Sequence, residues 1–456
     1  MYSAAKILIF PVFFHLTTSF YYICKAMKRF STLLRLISAV FLTLLLQGCA
    51  SDDVEIITPE TDPVRYKEVP LSYQIPTVKI YTDRRAQIRS KDEWVGATFS
   101  FTDPSCYFSP VKNYTGKGRI KGRGNTTWNM PKKPWHIKLD EKVSIFGDWP
   151  NRDWVLLANY SDKSLLRNMT AMEISRICSM AWTPTMISVE VYLNNEYVGV
   201  YSFSEHKEVA RHRVNIEPAA PGVVDGGYYM EVEANKDEPV YFVTGAGACI
   251  NFHEPEYPDE KQVGFVSQWF KDFEKALYDK DAPKGKAWWD YFDISSLVNY
   301  YIIEEICRDP DGGIFKSTFI TKEAGKPLEM YHVWDFDITL GNCNYTGNFA
   351  NPKGWHMRNA RWYRQLFSYP EFRQAVKKQW RKVYPGLKKV PDFIDRQYRM
   401  VNEASERNFQ KWNILGRKVW PNEYAFESYI EEVMFLKEFY SKRIEWMDKQ
   451  INSPSF

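Results

Sequence analysis

Alternation with a period of two dominates the first half of the chain, and helical spacing dominates the second. Thr77–Thr82 and Gly96–Phe101 are short alternating or β-branched runs bounded by turn residues, which predicts a strand at each. Trp135-His136-Ile137-Lys138-Leu139-Asp140 alternates without a break, placing Trp135, Ile137 and Leu139 on one face and His136, Lys138 and Asp140 on the other. A helix is predicted from an N-cap at Ser161 or Asp162 to about Met180, with Leu165, Leu166, Met169, Met172 and Ile177 as its apolar stripe. Ile187–Leu193 and Tyr197–Phe203 flank Asn194-Asn195, a hairpin signature, and Gly226–Val232 reads as another strand. Helical spacing takes over at Gln262–Tyr278 and Ser295–Arg308. After a short strand at His332–Trp334 it continues almost unbroken from Trp362, most clearly over Phe372–Trp380 and Tyr429–Ile451. Strands with one helix, then mostly helices, predict an α+β chain with a β-rich N-terminal lobe (71–235) and a helical lobe (236–456).

The N-terminus follows a different pattern. Met27-Lys28-Arg29 opens a basic segment that leads into an apolar run from Leu36 to Leu46 and then Leu46-Gln47-Gly48-Cys49, the layout of an export signal with its cleavage site. The run is shorter than the roughly 20 residues of a membrane span. Residues 1–48 are therefore expected to be a signal peptide, with the true start at Met27 and the apolar Ile7–Cys24 stretch an over-extended start. Two spans forming a hairpin is the competing account. Gly48-Cys49 resembles a bacterial lipobox, although Gln47 is unusual there, so Cys49 is the expected lipidated residue. Residues 49–70, polar and acidic with Pro59 and Pro63, read as a tether. Ala50-Ser51-Asp52-Asp53 resembles the surface-export signal of Bacteroidetes lipoproteins. The expected location is the cell envelope, anchored by lipid in the outer membrane and displayed at the surface.

Charge narrows the partners. The 456-residue chain carries a formal +4, but residues 1–48 hold five basic groups (Lys6, Lys25, Lys28, Arg29, Arg35) and no acids, so their removal leaves −1. A nucleic-acid partner loses its electrostatic basis. Cys106, Cys178, Cys249, Cys307 and Cys343 are scattered without a C-x-x-C pair, which excludes a zinc ribbon and a disulfide framework. Aromatic residues make up 16% of the chain, enough for a large core or a sugar-stacking surface.

Three polar segments are candidates for chemistry. Lys121-Gly122-Arg123-Gly124-Asn125-Thr126-Thr127-Trp128 is a glycine-bearing turn whose N–H groups can cradle phosphate, although most such turns are plain hairpins. Asp309-Pro310-Asp311-Gly312-Gly313 follows an apolar helix, and Trp334-Asp335-Phe336-Asp337 places two carboxylates around an aromatic after a strand. Carboxylates at strand ends can hold Mg²⁺, and equally serve turns and caps.

Together these segments resemble a known family. Arg123-Gly124-Asn125-Thr126-Thr127-Trp128 followed by Pro131-Lys132-Lys133-Pro134-Trp135-His136-Ile137-Lys138-Leu139 is similar to the signature of the spore-coat CotH family of atypical, protein-kinase-like proteins. The blocks Trp154–Asn168, Val191–Tyr201 and Val333–Asp337 resemble later parts of that family in the same order. The resemblance implies a kinase-like fold that uses ATP with Mg²⁺ or Mn²⁺ to phosphorylate Ser or Thr of secreted or surface proteins. It implies a phosphate-binding loop of Arg123, Gly124, Asn125 and Thr126, and Lys138 as the phosphate-pairing lysine with Glu173, or else Glu205, as partner. It implies Asp311 as the aspartate that orients the acceptor hydroxyl, and Asp335 and Asp337 as metal ligands. Lys316 departs from the pattern, standing where a kinase carries the Asn of a second metal site; Asp309 is a substitute oxygen ligand. The alternative is a catalytically weak or inactive kinase-like surface lipoprotein acting as an adhesin, glycan-binding or assembly module, with Trp128, Trp355 and Trp362 as contacts. Glycoside hydrolysis by Asp335 and Asp337 lacks an opposed second acid at the required separation.

Overall fold

A computed structural model describes residues 73–108, 113–236, 238–279 and 285–456. The expected signal peptide, Cys49 and the expected tether lie outside the described residues. Seven strands close on themselves: β1 (Thr77–Thr82), β2 (Val95–Thr102), β3 (Asn113–Gly122), β4 (Trp135–Val143), β5 (Asn151–Leu157), β6 (Met186–Leu193) and β7 (Glu196–Glu205). Their order is β1-β2-β3-β4-β5-β7-β6, and a parallel pairing of β1 with β6 seals the barrel. Period-two patterning fills the inside, where Val78, Ile80, Phe99, Ile120, Ile137 and Trp154 are fully buried. Trp135, Ile137 and Leu139 of β4 face this core together. The Asn194-Asn195 turn has φ of 51° and 72°, the left-handed pair that a two-residue hairpin requires and that Asn tolerates.

The one helix within this region, α1 (Arg167–Cys178), begins later than the predicted cap. Asp162 explains the delay. Its carboxylate accepts from Ser164 N (3.1 Å) and Arg167 N (2.9 Å) and pairs with Arg167 Nη1 at 2.6 Å, which holds 161–166 as a turn.

A second sheet follows, built from β8 (Tyr228–Val232), β9 (Tyr241–Val243), β10 (Cys249–Glu254), β11 (Thr318–Lys322) and β12 (Leu328–His332). Its order is β12-β11-β8-β10-β9, antiparallel throughout. Four of these strands fall in the span expected to be helical. They are short, and β11 is buried at every position, so it shows no alternation. The last strand ends at His332, which leaves Val333 and Trp334 in the following loop.

Helices complete the chain: α2 (Glu260–Tyr278), α3 (Ile294–Cys307), α4 (Arg361–Leu366), α5 (Pro370–Leu387), α6 (Val390–Lys411) and α7 (Tyr429–Ile451). A capping box of Asp259 and Gln262 opens α2. From Ser296 to Cys307, α3 is buried at every position but Asn299, and so forms the central post of the helical part. The result is a mixed α+β chain, sheet-rich first and helical at the end, whose N-terminal strands close into a barrel. Among the described residues no helix is long and apolar enough to cross a membrane, and the five cysteines there are unbridged.

Candidate functional site

The barrel, the second sheet and the helices border one cleft of about 440 Å³. Its floor is the segment that leaves β12. Phe336 is fully buried, Phe336 N donates to Asn168 Oδ1 (2.8 Å), and Asn342 Nδ2 donates to Asp337 O (2.8 Å). Held at both ends, Asp335 adopts φ 72°, a left-handed conformation that costs energy for a non-glycine residue and that turns its carboxylate into the cleft.

Facing it is the turn between β3 and β4. Gly124 has φ 80°, and a Cβ there would strike Thr127 Oγ1, so only glycine fits. Arg123 lies with its guanidinium carbon 5.7 Å from the centre of the Trp334 ring, and among the described residues it forms no ion pair within 4.0 Å. Burial lowers its pKa, while Asp335 and Asp337 push it back up.

A third wall follows α3. Arg308 ends that helix in a left-handed conformation (φ 48°), and its Nη1 donates to the carbonyls of Asn351 (2.9 Å) and Lys353. Asp309 Oδ1 accepts from Asp311 N at 3.0 Å, an Asx turn that presents Asp311 to the cleft beside Lys316.

These acids repel one another. Burial, then Asp335 and Asp162, pushes the Asp337 carboxyl well above the usual range. Asp335 is raised by burial, opposed by Arg123 and reinforced by Asp311. Its carboxylate is open to water through the cleft mouth but enclosed by protein on its other sides. Asp309 is raised by burial, Glu304 and Asp311. Such a site favours a cation. Among the described residues no three His, Cys, Asp or Glu side chains form a metal cage. Mg²⁺, however, is ordinarily held by one or two carboxylates with water and substrate phosphates supplying the rest, so Asp335 and Asp337 fit such an ion.

Arg123, Gly124, Asn125, Thr126, Asp311, Lys316, Asp335 and Asp337 all line this cleft. Lys138 and Glu173 do not. Pro134 lines the cleft, but Lys138 is four residues further along the strand, about 13 Å at strand rise. Its ammonium pairs instead with Asp153 across the β4–β5 ladder at 3.1 Å. Glu173 is buried within α1, 3.9 Å from Arg176. Glu205 accepts from Thr185 N and from Arg213 Nε. Asp309 is buried behind the Asp311 turn and is not among the residues that line the cleft.

The cation the sequence reading missed is Lys207, just past β7. Its ammonium pairs with Glu231 of β8 at 2.7 Å. Burial would raise the Glu231 carboxyl, but Lys207 and His253 outweigh it and hold the pKa down to about 2. His253 of β10 bridges Glu231 (2.6 Å) and Glu238 (3.0 Å). Glu231, set in the otherwise apolar Tyr228–Val232, was the signal available in the sequence. Nothing local distinguishes Lys207.

The aromatic contacts expected of a glycan binder are mostly internal. Trp362 is fully buried and donates to Glu274 Oε1 (2.9 Å), and Trp355 packs edge-on against Trp446. Trp420, at the cleft rim near Tyr345, is exposed (52%), as are Trp149 and Trp289, which do not line the cleft.

A comparison with curated proteins returned no match. The family model described as CotH kinase protein matches residues 120–447, from the end of β3, through every wall of the cleft, into α7. The chain belongs to the CotH kinase protein family.

Proposed function

We propose that this chain is an ATP-dependent protein kinase of the cell envelope, kinase-like in fold, which transfers phosphate to Ser or Thr of secreted or surface proteins. The observation that carries this reading is convergence. The glycine-bearing turn at Arg123 lies some 190 residues before the Asp311 turn, on the order of 600 Å if extended, and the Asp335–Asp337 segment lies further still, yet all three line one cleft. Phosphoryl transfer asks a protein for positioning and charge stabilisation, and the cleft holds parts for both.

Arg123 and the N–H groups of Gly124–Thr126 would bind the phosphate oxygens. Lys207, oriented by Glu231, takes the phosphate-pairing role first assigned to Lys138. Asp335 and Asp337 would hold Mg²⁺ or Mn²⁺, which when bound neutralises charge on the transferring phosphate. Asp311 would accept the hydrogen bond of the acceptor hydroxyl and orient it. Lys316 places a cation where a second metal ligand was expected. That favours, as a second reading, a nucleotide-binding surface module of low catalytic rate.

Both readings answer to one assay. The purified full chain and an Asp335→Ala variant are incubated with labelled ATP and Mn²⁺ or Mg²⁺, following label in the protein and in an added acceptor protein. Transfer by the parent that is lost in the variant is the expected result. Absence of transfer, together with no nucleotide-dependent rise in melting temperature under either metal, overturns the kinase reading. A rise in melting temperature without transfer selects the second. Lipid anchoring at Cys49 is checked by metabolic labelling with a fatty acid, which a Cys49→Ser variant should abolish.

A further inference from the structure

A second cavity, of about 960 Å³, lies on the other side of the Asp311–Gly313 turn. Its rim is basic. Lys271 and Lys275 are four apart on α2, and Arg361 and Arg364 are three apart on α4, so each pair shares a helix face bordering the cavity. Among the described residues none of the four forms an ion pair within 4.0 Å. The acids facing them are Glu274 and Asp279, which leaves two positive charges in excess. Glu274 is also committed: it accepts from Trp362 Nε1 and from Ala246 N, both at 2.9 Å. Arg364 donates Nε (3.2 Å) and Nη2 (3.0 Å) to Asn359 O, so its guanidinium is held in place rather than free in solvent.

Gly313 forms part of this cavity's wall, and Asp311 part of the cleft's. Two residues of chain span at most about 7 Å. A polypeptide whose hydroxyl sits at Asp311 and which runs outward over Gly312-Gly313 would reach the basic rim within a few residues. On the kinase reading above, on which this rests, we infer that the seam between α2 and α4 docks acidic side chains of the protein substrate, two to four residues from the acceptor hydroxyl. The contacts are charge to charge at a wet surface, so recognition acts through encounter and KM and weakens with salt.

The test uses the purified full chain and labelled peptides of equal length with one Ser. Three Glu, three Gln or three Lys are placed on either its N-terminal or its C-terminal side. Binding is read by fluorescence anisotropy and transfer by phosphate incorporation. In one of the two placements the Glu peptide should bind about tenfold tighter than its Gln counterpart at low salt, with the gap closing at high salt. A Lys275→Glu/Arg364→Glu variant should erase that preference or turn it toward the Lys peptide, with kcat on the Gln peptide unchanged. A Lys271→Gln/Lys275→Gln variant, milder for the fold, should at least halve it. Equal binding of Glu and Gln peptides in both placements, or a preference that survives the charge reversal, overturns the inference. A Glu preference abolished by the reversal but unaccompanied by transfer to any peptide supports the docking site and counts against the kinase reading instead.

Discussion

The barrel and the second sheet solve the same packing problem with opposite chemistry. Inside the barrel the core is apolar, and Trp154 stacks on Phe203 at 5.1 Å. In the second sheet, Glu231 and Asn251 are buried within β8 and β10, which also supply the wall of the cleft, and His332 is buried at the end of β12. A sealed barrel stabilises by excluding water and has no use for charge. A sheet that borders a ligand site must keep charges at fixed positions, and each of them needs a partner, as Lys207 and His253 serve Glu231. Stability should therefore be concentrated in the first region and activity in the second.

The sharpest way to break that division is Asp335→Asn, which should cut phosphate transfer by at least about 10³-fold. The melting temperature measured without nucleotide should not fall, because a carboxylate raised by its surroundings and by Asp311 is replaced by a neutral group of the same shape. A drop in stability matching the loss of activity would remove the distinction. Trp154→Ala is the converse. It should cost about 3–5 kcal/mol in denaturant unfolding, leaving the KM for ATP of the surviving folded fraction unchanged. Between them stands Lys207→Met. It strands Glu231 beside His253 and should cost about 3 kcal/mol. It should also raise the KM for ATP, so it is the substitution that damages both properties at once.

A pH series sharpens the contrast further. Burial, with Glu305 adding to it, pushes the Glu304 carboxyl up to about 8 from an ordinary 4.5. Below 4.5 it is protonated folded or unfolded and contributes no pH dependence. From about 4.5 to about 8 the unfolded chain releases a proton that the folded chain keeps, so this group removes stability as pH rises. Glu304→Gln lacks that slope. The stability difference between variant and parent, followed by denaturant titration from pH 5 to pH 8.5, should move steadily in favour of the variant. A flat difference would mean that Glu304 ionises normally behind the Asp311 turn.

The same contrast separates what the sequence made legible from what it did not. Strands β1, β2 and β4 announce themselves because one face meets the barrel core and the other is more open to water, which writes alternation into the chain, whereas β6 and β7, buried on both faces over most of their length, are betrayed by the Asn194-Asn195 turn between them. β9 and β11 lack it: the first has three residues, and the second is buried at every position. β3 hides behind Gly116 and Gly118, where the next strand's backbone or a tyrosine ring occupies the space of a side chain. In the cleft, Asp311, Asp335 and Asp337 were readable because acids placed just after an apolar helix or strand are conspicuous. Lys207 was not, because what defines it is Glu231, 24 residues away on a strand of the other sheet.

Lys138 offers the smallest expected effect and tests the reassignment most directly. Strand parity places it with His136 on the outer face of β4, and side-chain direction alone made it a fair candidate. Distance decides otherwise, since a strand advances about 3.3 Å per residue and Lys138 is four residues beyond Pro134 at the cleft. Its side chain is 36% exposed and its partner is Asp153, which also accepts from His136 at 2.8 Å and so keeps a hydrogen bond without the lysine. Lys138→Ala should therefore cost under about 1 kcal/mol and leave kcat and the KM for ATP within about twofold of the parent. If it instead matched Lys207→Met in raising the KM, the phosphate-pairing lysine would be the one on the barrel strand, and the charged sheet would lose its claim to the active centre.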